Sequence, residues 1–202
     1  MLVTKNLTKS FDDKLVLSAV NYQFDYGINA LMGVSGSGKT TLVNLIAGLL
    51  SPDSGEIIYP TAHKISMTFQ EDRLIEHATA LDNVLLPSHH PVRDTPVALD
   101  LLSKVGLKAV AHKKVHTLSG GMKRRVSLCR SLLKPFDILI LDEPFKGLDK
   151  QTKETVMTLL KSLNDGSKIM ILITHNEADA SFLSARVINK ATPMDVYPEG
   201  VY

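Results

Sequence analysis

The chain has 202 residues, of which 44% are hydrophobic and 22% are charged. These proportions exclude a collagen-like, coiled-coil or disordered protein and indicate a soluble globular one, with one compact unit at this length. A formal net charge of +2 produces little long-range field, so charge favours neither nucleic acid nor an acidic membrane as a partner.

From two further observations we expect neither export nor membrane crossing. The residues from Met1 to Ser10 alternate between apolar and polar types, unlike a secretion signal, and the most apolar runs (42–50, 138–141 and 169–173) are far shorter than the ~20 residues that a bilayer requires. The single cysteine, Cys129, rules out an internal disulfide and is expected to be a buried, inert thiol in a reduced intracellular protein. We also expect no sizeable additional regulatory domain.

The first part of the chain is predicted to contain strands followed by a helix. Apolar residues partly alternate from Val3 to Phe11 and again from Val20 to Phe24, which suggests antiparallel strands, and a turn at 25–27 precedes a strand at 28–32. From Lys39 onward the apolar residues recur at helical spacing. A strand, a glycine-rich loop and a helix therefore follow one another in the order of a P-loop unit.

The middle of the chain is predicted to be mainly helical. A strand at 64–69 is followed by helical patterns at 79–86 and 96–105, with Pro87, Pro91 and Gly106 as breakers. Short buried strands at 137–141 and 168–174 then flank an amphipathic helix at 150–163, which is the alternation of a parallel α/β core. We therefore expect residues 71–133 to form a helical insertion.

The glycine-rich loop matches G-x-x-x-x-G-K-[ST] in full, because it reads Gly33-Val34-Ser35-Gly36-Ser37-Gly38-Lys39-Thr40. Glycines allow the backbone to curl so that its amides face phosphate oxygens, and the helix N-terminus adds positive potential. Lys39 is predicted to reach the β- and γ-phosphates, and the Thr40 hydroxyl to bind Mg²⁺. The alternative, a chance glycine-rich turn, does not account for a pattern of this length between a strand and a helix.

Two acids follow the buried strand at 137–141. Asp142 is predicted to join the Mg²⁺ shell, and Glu143 to act as a general base or to orient the attacking water. Ligands bind at the carboxyl ends of strands in α/β sheets. Asp-Glu-Pro alone would as often be a helix-starting turn, but its occurrence with the P-loop favours a functional site.

A third motif, Leu118-Ser119-Gly120-Gly121-Met122, stands before another helical pattern. Ser119 and the two glycine amides would lie at a helix N-terminus and could bind an anion. By itself this sequence is usually only a helix cap.

Together these motifs resemble the ATP-binding cassette (ABC) family of transporter subunits, and the resemblance covers essentially the whole chain. Leu118 to Met122 is similar to the family's signature Leu-Ser-Gly-Gly-Gln, with Met122 in place of Gln. The resemblance implies an α/β P-loop NTPase (RecA-like) core, residues 1–70 and 134–202, with an N-terminal antiparallel β subdomain and an inserted helical subdomain, residues 71–133. All 202 residues would form one ABC ATPase domain.

The resemblance also implies roles for individual residues. Phe11 and Val16 match the adenine contacts, Gln70 matches the glutamine that contacts Mg²⁺ and water, and Asp149 lies in the loop at the dimer interface. His175 matches the histidine that contacts the γ-phosphate; from the residues alone it would be a satisfied strand-end histidine. The implied catalytic residues are Lys39, Glu143 and His175, and the Mg²⁺ ligands are Thr40, Gln70 and Asp142. The implied nucleotide-binding residues are Phe11, Val16, Gly33 to Thr41, Gln70, Ser119, Gly120, Gly121 and Asp149.

In this family two copies sandwich two ATP molecules, so Ser119, Gly120 and Gly121 would complete the site of the opposite subunit. The resemblance implies transmembrane permease subunits, with an extracytoplasmic solute-binding protein in the complex, and a cytoplasmic position on the inner face of the cell membrane. Residues 69–84 are most similar to bacterial importers of nitrate, sulfonate, taurine or similar solutes. The alternatives are a non-transport cassette ATPase and a P-loop kinase, which would produce a phosphorylated acceptor instead of free phosphate.

Basic residues and histidines outside these motifs are not predicted to bind ligands. Lys113-Lys114 and Lys123-Arg124-Arg125 lack nearby aromatic residues for base stacking, so we expect a solvated helix face and no nucleic-acid partner. His89, His90, His112 and His116 lack the acidic or cysteine partners of a metal site.

Overall fold

The computed structural model describes residues 1–12, 14–60 and 63–189. Eight strands occur in these ranges: β1 (Leu2–Phe11), β2 (Lys14–Phe24), β3 (Gly27–Met32), β4 (Ser54–Ile58), β5 (Ile65–Thr68), β6 (Ile138–Asp142), β7 (Ile169–Ile173) and β8 (Arg186–Asn189). The helices are α1 (Lys39–Ile46), α2 (Ala80–Leu85), α3 (Pro91–Lys104), α4 (Gly120–Leu132), α5 (Lys150–Leu163) and α6 (Glu177–Phe182), with 3-10 turns at Lys108–Val110 and Val115–Thr117.

The strands form two sheets. The first is antiparallel, in the order β2-β1-β4, and the second has the order β5-β6-β7-β3-β8 with parallel neighbours. The α/β fold predicted from the sequence, with an antiparallel N-terminal sheet and a helical insertion between β5 and β6, is confirmed. Bulges between β1 and β2 shift their register, which explains why apolar and polar residues alternate there only in part.

Strands β6 and β7 are buried on both faces, as their unbroken apolar sequences predict. Leu139 and Leu141 pack into a cluster with the helices of the insertion and with α5. Ile138 and Ile140 point to the other face, into a cluster with α1 and the antiparallel sheet. The central sheet therefore lies between two apolar cores, and its carboxyl edge is the place where β6 and β7 deliver polar side chains.

The insertion contains a correction at Pro91. The sequence predicted Pro91 to be a breaker, but it is the first residue of α3. A first-turn residue needs no intrahelical partner for its N–H, and the fixed φ of proline suits the helix, so proline starts a helix well. The helix therefore begins five residues earlier than predicted and ends at Lys104.

Three elements were not predicted: β4, α6 and β8. Strand β4 contains Gly55 and is held by pairing with β1, while β8 pairs with β3. Both are edge strands whose pairing partners lie far away in sequence, so local periodicity carried little signal. Within the part of the chain that the structure describes, no helix combines the length and apolar character that crossing a membrane would need.

Candidate functional site

The P-loop connects the end of β3 to the start of α1. Gly36 and Gly38 adopt φ values of 75° and 87°, a region that other residues enter only with strain. Gly38 caps α1 without a side-chain hydrogen bond, and the first turn has no acidic residue. The amides at the start of α1 are therefore available to an anion.

Lys39 lies on the floor of this loop with only 6% of its surface exposed. Its Nζ donates to the carbonyls of Gly33 and Val34, at 2.8 Å each. Burial lowers the pKa of Lys39, and the nearby carboxylates of Glu143 and Asp142 oppose that shift. The loop thus holds a desolvated cation next to two acids.

Thr40 and Asp142 connect the P-loop to β6. Thr40 Oγ1 donates to Asp142 Oδ2 at 3.0 Å, and Asp142 is only 2% exposed. Burial raises the pKa of Asp142, which the hydrogen bond from Thr40 partly offsets. A carboxylate and a hydroxyl are hard oxygen donors of the type that Mg²⁺ prefers, and a cation would relieve the cost of the buried charge.

The P-loop also fits a phosphate. Ser37 Oγ is buried and has no hydrogen-bond partner among the described residues. Buried hydroxyls are normally paired, so this one, beside free helix amides and Lys39, suits an acceptor oxygen from a ligand. Thr40, Gln70 and Asp142 could hold Mg²⁺, and the loop residues could hold the phosphates.

Glu143 and His175 form a second pair at the same sheet edge. His175 Nε2 lies 3.1 Å from Glu143 Oε1, and Lys146 Nζ lies 3.4 Å from Glu143 Oε2. Glu143 has φ 48°, a left-handed conformation that is uncommon for this residue type and recurs at functional sites. Its amide is held by the carbonyl of Ile173 at 3.1 Å. The Glu143 carboxylate is thereby oriented by its own backbone and by its contacts with His175 and Lys146.

These groups line one cleft of about 260 Å³. It brings together most of the residues predicted for nucleotide and metal: Val16, Ser35, Gly36, Gly38, Lys39, Thr40, Thr41, Gln70, Asp142, Glu143 and His175. Ile173 also lines it and was not predicted as a site residue, although it lies within the strand predicted at 168–174 and is the last residue of β7. Phe11 is exposed at the end of β1, where Lys9 Nζ lies 5.6 Å from the ring centroid.

Four of the remaining predicted residues, Ser119, Gly120, Gly121 and Asp149, line a separate surface. Ser119 caps α4 and accepts from the amide of Met122 at 3.3 Å, and Asp149 caps α5 by accepting from the amide of Thr152 at 2.9 Å. Hydrogen bonds from Thr152 lower the pKa of Asp149. Gly120, Gly121 and Gly147 complete this hollow. It shares no lining residue with the P-loop cleft, so a single chain does not unite the two sets.

The predicted solvated face at Lys123-Arg124-Arg125 is wrong for Arg124. Arg124 is 8% exposed, because this side of α4 packs against residues 69–73. Helical spacing carried a signal, since Arg124, Ser127 and Ser131 recur on one buried stripe. The prediction that the Cys129 thiol is buried is confirmed, and burial raises its pKa.

The fold and the cleft define a P-loop nucleotide-binding protein of the α/β class. Residues 17–146, which are more than half of the chain, match the ABC transporter family. The chain therefore belongs to the ABC transporter family, as the three motifs predicted.

Several curated relatives match between 79% and 98% of this chain. The spermidine/putrescine import ATP-binding protein PotA of Spiroplasma citri is 34% identical over 98% of this chain and 63% of its own length. The taurine import ATP-binding protein TauB of Roseobacter denitrificans is 40% identical, over 79% of this chain and 63% of its own. The sulfate/thiosulfate import ATP-binding protein CysA 1 of Shewanella oneidensis is 33% identical, over 96% and 59%. The chain spans about three fifths of the length of these relatives.

Among solved structures, the ATP-binding cassette MJ0796 has the same fold. Its dimeric post-hydrolysis state, bound to ADP and Pi, superposes with a TM-score of 0.82 at 31% identity, and the match covers 94% of both chains.

Proposed function

We propose that this chain is the ATP-binding subunit of an ABC importer, which hydrolyses ATP between two copies so that partner transmembrane subunits move a solute. One observation carries the proposal: a single cleft contains the phosphate-binding loop, the Thr40–Asp142 pair and the Glu143–His175 pair. Family membership and the import ATP-binding relatives support it.

ATP would lie with its phosphates on the P-loop. The amides of 33–41 and the Lys39 ammonium would hold the β- and γ-phosphates, and the exposed ring of Phe11, with Val16, would stack on adenine. Thr40, Gln70 and Asp142 would hold Mg²⁺, which would neutralise negative charge on the phosphates. The buried carboxylate of Asp142 and the unpaired hydroxyl of Ser37 support these roles.

Hydrolysis is in-line attack of a water oxygen on the γ-phosphorus, with cleavage of the bond to the β–γ bridging oxygen. Glu143 orients the water and accepts its proton, and His175 contacts the γ-phosphate and holds the Glu143 carboxylate. ADP is the leaving group, and Lys39 stabilises the charge that develops on its β-phosphate oxygen. The 3.1 Å contact between His175 and Glu143 supports this division of roles.

Two copies would form the complete site. Ser119, Gly120 and Gly121 of one copy would close over the γ-phosphate on the other copy's P-loop, with Asp149 at the interface between them. The placement of the two residue sets on separate surfaces of one chain supports this arrangement. A second helix N-terminus can neutralise a γ-phosphate that one P-loop leaves partly exposed.

The partners would be transmembrane permease subunits, together with an extracytoplasmic solute-binding protein, and the chain would sit on the cytoplasmic face of the cell membrane. The helices between β5 and β6 support a division into a core, residues 1–70 and 134–202, and a helical subdomain, residues 71–133; residues 190–202 lie outside the described part of the chain. No nucleic acid is assigned as a partner. The likeness to TauB supports a taurine, sulfonate or nitrate type of importer.

The proposal is tested with Glu143→Gln, which keeps the shape of the side chain and removes the base. ATP should then accumulate between two copies, so the variant should dimerise in ATP and remain monomeric without it. Wild type should release free phosphate and stay largely monomeric, because hydrolysis continually opens the sandwich and no permease tethers the copies. Gel filtration with light scattering measures the mass.

Glu143→Gln combined with Ser119→Arg provides the matched control, because it blocks the signature surface and leaves the P-loop intact. It should bind ATP and remain monomeric. A monomeric Glu143→Gln variant that binds ATP normally, an undisturbed dimer in the double variant, or a phosphorylated acceptor from wild type would each contradict the proposal.

A further inference from the structure

Helix α4 holds the backbone of the glutamine segment, which we define as residues 69–73. Arg124 Nη1 donates to the carbonyl of Phe69 at 2.8 Å, and Nη2 donates to the carbonyl of Gln70 at 2.6 Å. The same guanidinium lies 3.1 Å from Asp72 Oδ1. One buried side chain thus binds the carbonyls of the two peptide bonds that precede and follow Gln70.

A second arginine continues these contacts along the segment. Arg130 Nη2 donates to the carbonyl of Asp72 at 2.8 Å, and Nη1 donates to the carbonyl of Arg73 at 2.7 Å. The segment lies outside the strands and helices, so α4 supplies hydrogen bonds that regular structure would otherwise supply. Four carbonyls of a five-residue segment are bound by two side chains of one helix.

The same helix begins at the signature. Ser119 caps α4, and Gly120 and Gly121 are its first residues, so Arg124 lies little more than one turn from the surface that would meet the second copy's ATP. Helix α4 therefore connects the signature residues Ser119–Gly121 with the backbone of Gln70 through Arg124. Gln70 itself lines the P-loop cleft of its own chain.

We propose that Arg124 is a positioning residue that couples the two ATP sites of the dimer. In one copy, Arg124 connects Gln70, which lies in that copy's own ATP site, with Ser119–Gly121, which would contact the ATP of the other copy. The inference rests on the proposed sandwich and adds a named link between its two sites. Contact of the signature with one nucleotide sets the placement of Gln70 at the other. The free chain holds the same link, because its contacts lie within one subunit.

The geometry requires arginine at this position. Donating to two carbonyls at once, beside the Asp72 carboxylate, needs the planar fork of a guanidinium, whereas the single nitrogen of lysine cannot span them. Lys123, the preceding residue, also reaches toward this region, but it pairs with the exposed carboxylate of Glu76 at 2.9 Å and binds no carbonyl of the segment. Lys123 is therefore a matched control, with the same charge on the same helix.

The test compares Arg124→Met, Arg124→Lys and Lys123→Met in steady-state ATP hydrolysis. Wild type should show cooperative dependence on ATP. Arg124→Met should lower kcat about tenfold or more with KM changed less than about twofold, and should abolish the cooperativity, because misplacement of a positioned group costs rate more than binding. Arg124→Lys should behave like Arg124→Met, and Lys123→Met should stay within about twofold of wild type.

A second measurement does not depend on hydrolysis. In the Glu143→Gln background, hydrogen exchange of the amides in 70–74 should slow when ATP forms the dimer. Adding Arg124→Met should leave the dimer in place and remove most of that slowing, while Lys123→Met should keep it. Circular dichroism verifies folding; if Arg124→Met fails to fold, Arg124→Lys, which retains the charge beside Asp72, decides the question.

The outcomes separate this inference from the proposed function. If wild type does not hydrolyse ATP and Glu143→Gln does not dimerise, the proposed function fails. If both behave as expected but folded Arg124→Lys keeps the wild-type rate and cooperativity, the coupling role is wrong. An equal loss in Lys123→Met would also overturn it, because the effect would then be one of charge.

Discussion

Asp142 illustrates, at the scale of one residue, a conflict between stability and function. A carboxylate that is 2% exposed is costly without a cation, and burial accordingly raises its pKa. Its only hydrogen bond from a described side chain comes from Thr40, and an amide oxygen could accept that bond equally well. The charge therefore costs the fold stability, which the proposed role of Asp142 in holding Mg²⁺ would explain.

We expect Asp142→Asn to raise the free energy of unfolding of the nucleotide-free protein by about 1 kcal/mol at neutral pH. The pKa of Asp142 in the folded state lies above the ordinary value of 3.8, so the buried charge destabilises wild type fully at pH values above the folded pKa. This destabilisation decreases as the pH falls through the folded pKa, and the stability advantage of Asp142→Asn should vanish near pH 3.8. The same variant should lose Mg²⁺-dependent hydrolysis.

Urea denaturation at several pH values measures this difference. Asp137→Asn is the control, since Asp137 is exposed just before the start of the same strand, β6, and should bring no gain. A destabilised Asp142→Asn protein at neutral pH would show that the charge contributes to folding.

At the scale of elements, strand β4 depends on a glycine where it meets β1. Gly55 has φ 85°, and a Cβ placed there would lie 2.4 Å from the carbonyl oxygen of Asn6. That contact is with backbone, which cannot move without disturbing the pairing of the two strands. Gly48, after α1, has a similar φ of 71° but has nothing within 4 Å of such a Cβ.

Gly48→Ala and Gly55→Ala should therefore differ, although both place alanine in the left-handed region. We expect Gly48→Ala to cost about 1 kcal/mol of unfolding free energy, from backbone conformation alone. Gly55→Ala should cost about 3 kcal/mol or more, because steric overlap adds to the strain. Chemical denaturation of the two variants measures the difference, and equal costs would contradict the close approach of β4 to β1.

At the scale of the molecule, the helical insertion and the central sheet share one apolar core. Leu102 of α3 and Leu128 of α4 belong to the same buried cluster as Leu139 and Met170 of the sheet. The opposite face of the sheet packs on α1 and the antiparallel sheet. Because the sheet belongs to both cores, neither side can unfold without exposing the other.

We therefore expect one cooperative thermal transition for the nucleotide-free chain, with calorimetric and van't Hoff enthalpies that agree. Leu102→Ala should lower the midpoint of that single transition, at a cost of about 2–5 kcal/mol, without producing an earlier one. Val97→Ala, on the exposed side of the same helix, should change the stability by less than about 0.5 kcal/mol. A separate early transition in Leu102→Ala would indicate that the insertion folds independently.

The sequence alone was sufficient where a function depends on contiguous residues. The P-loop needs glycines, a lysine and a hydroxyl at fixed spacing between a strand and a helix, so its local order predicts its geometry. The buried strands β6 and β7 and the helix α5 were predicted for the same reason, since their periodicity spans the whole element. The family followed from the order of three such motifs.

Only the tertiary structure decided the features that depend on distant residues. The pairing of β4 with β1, the burial of Arg124 against Phe69 and Gln70, and the 3.1 Å contact between Glu143 and His175 each join residues 32 or more positions apart. Local propensity cannot report such contacts, because their energy comes from packing that exists only when the chain has closed around them. For that reason Arg124 was predicted to be a solvated charge, whereas in the folded chain it links the signature helix to the nucleotide cleft.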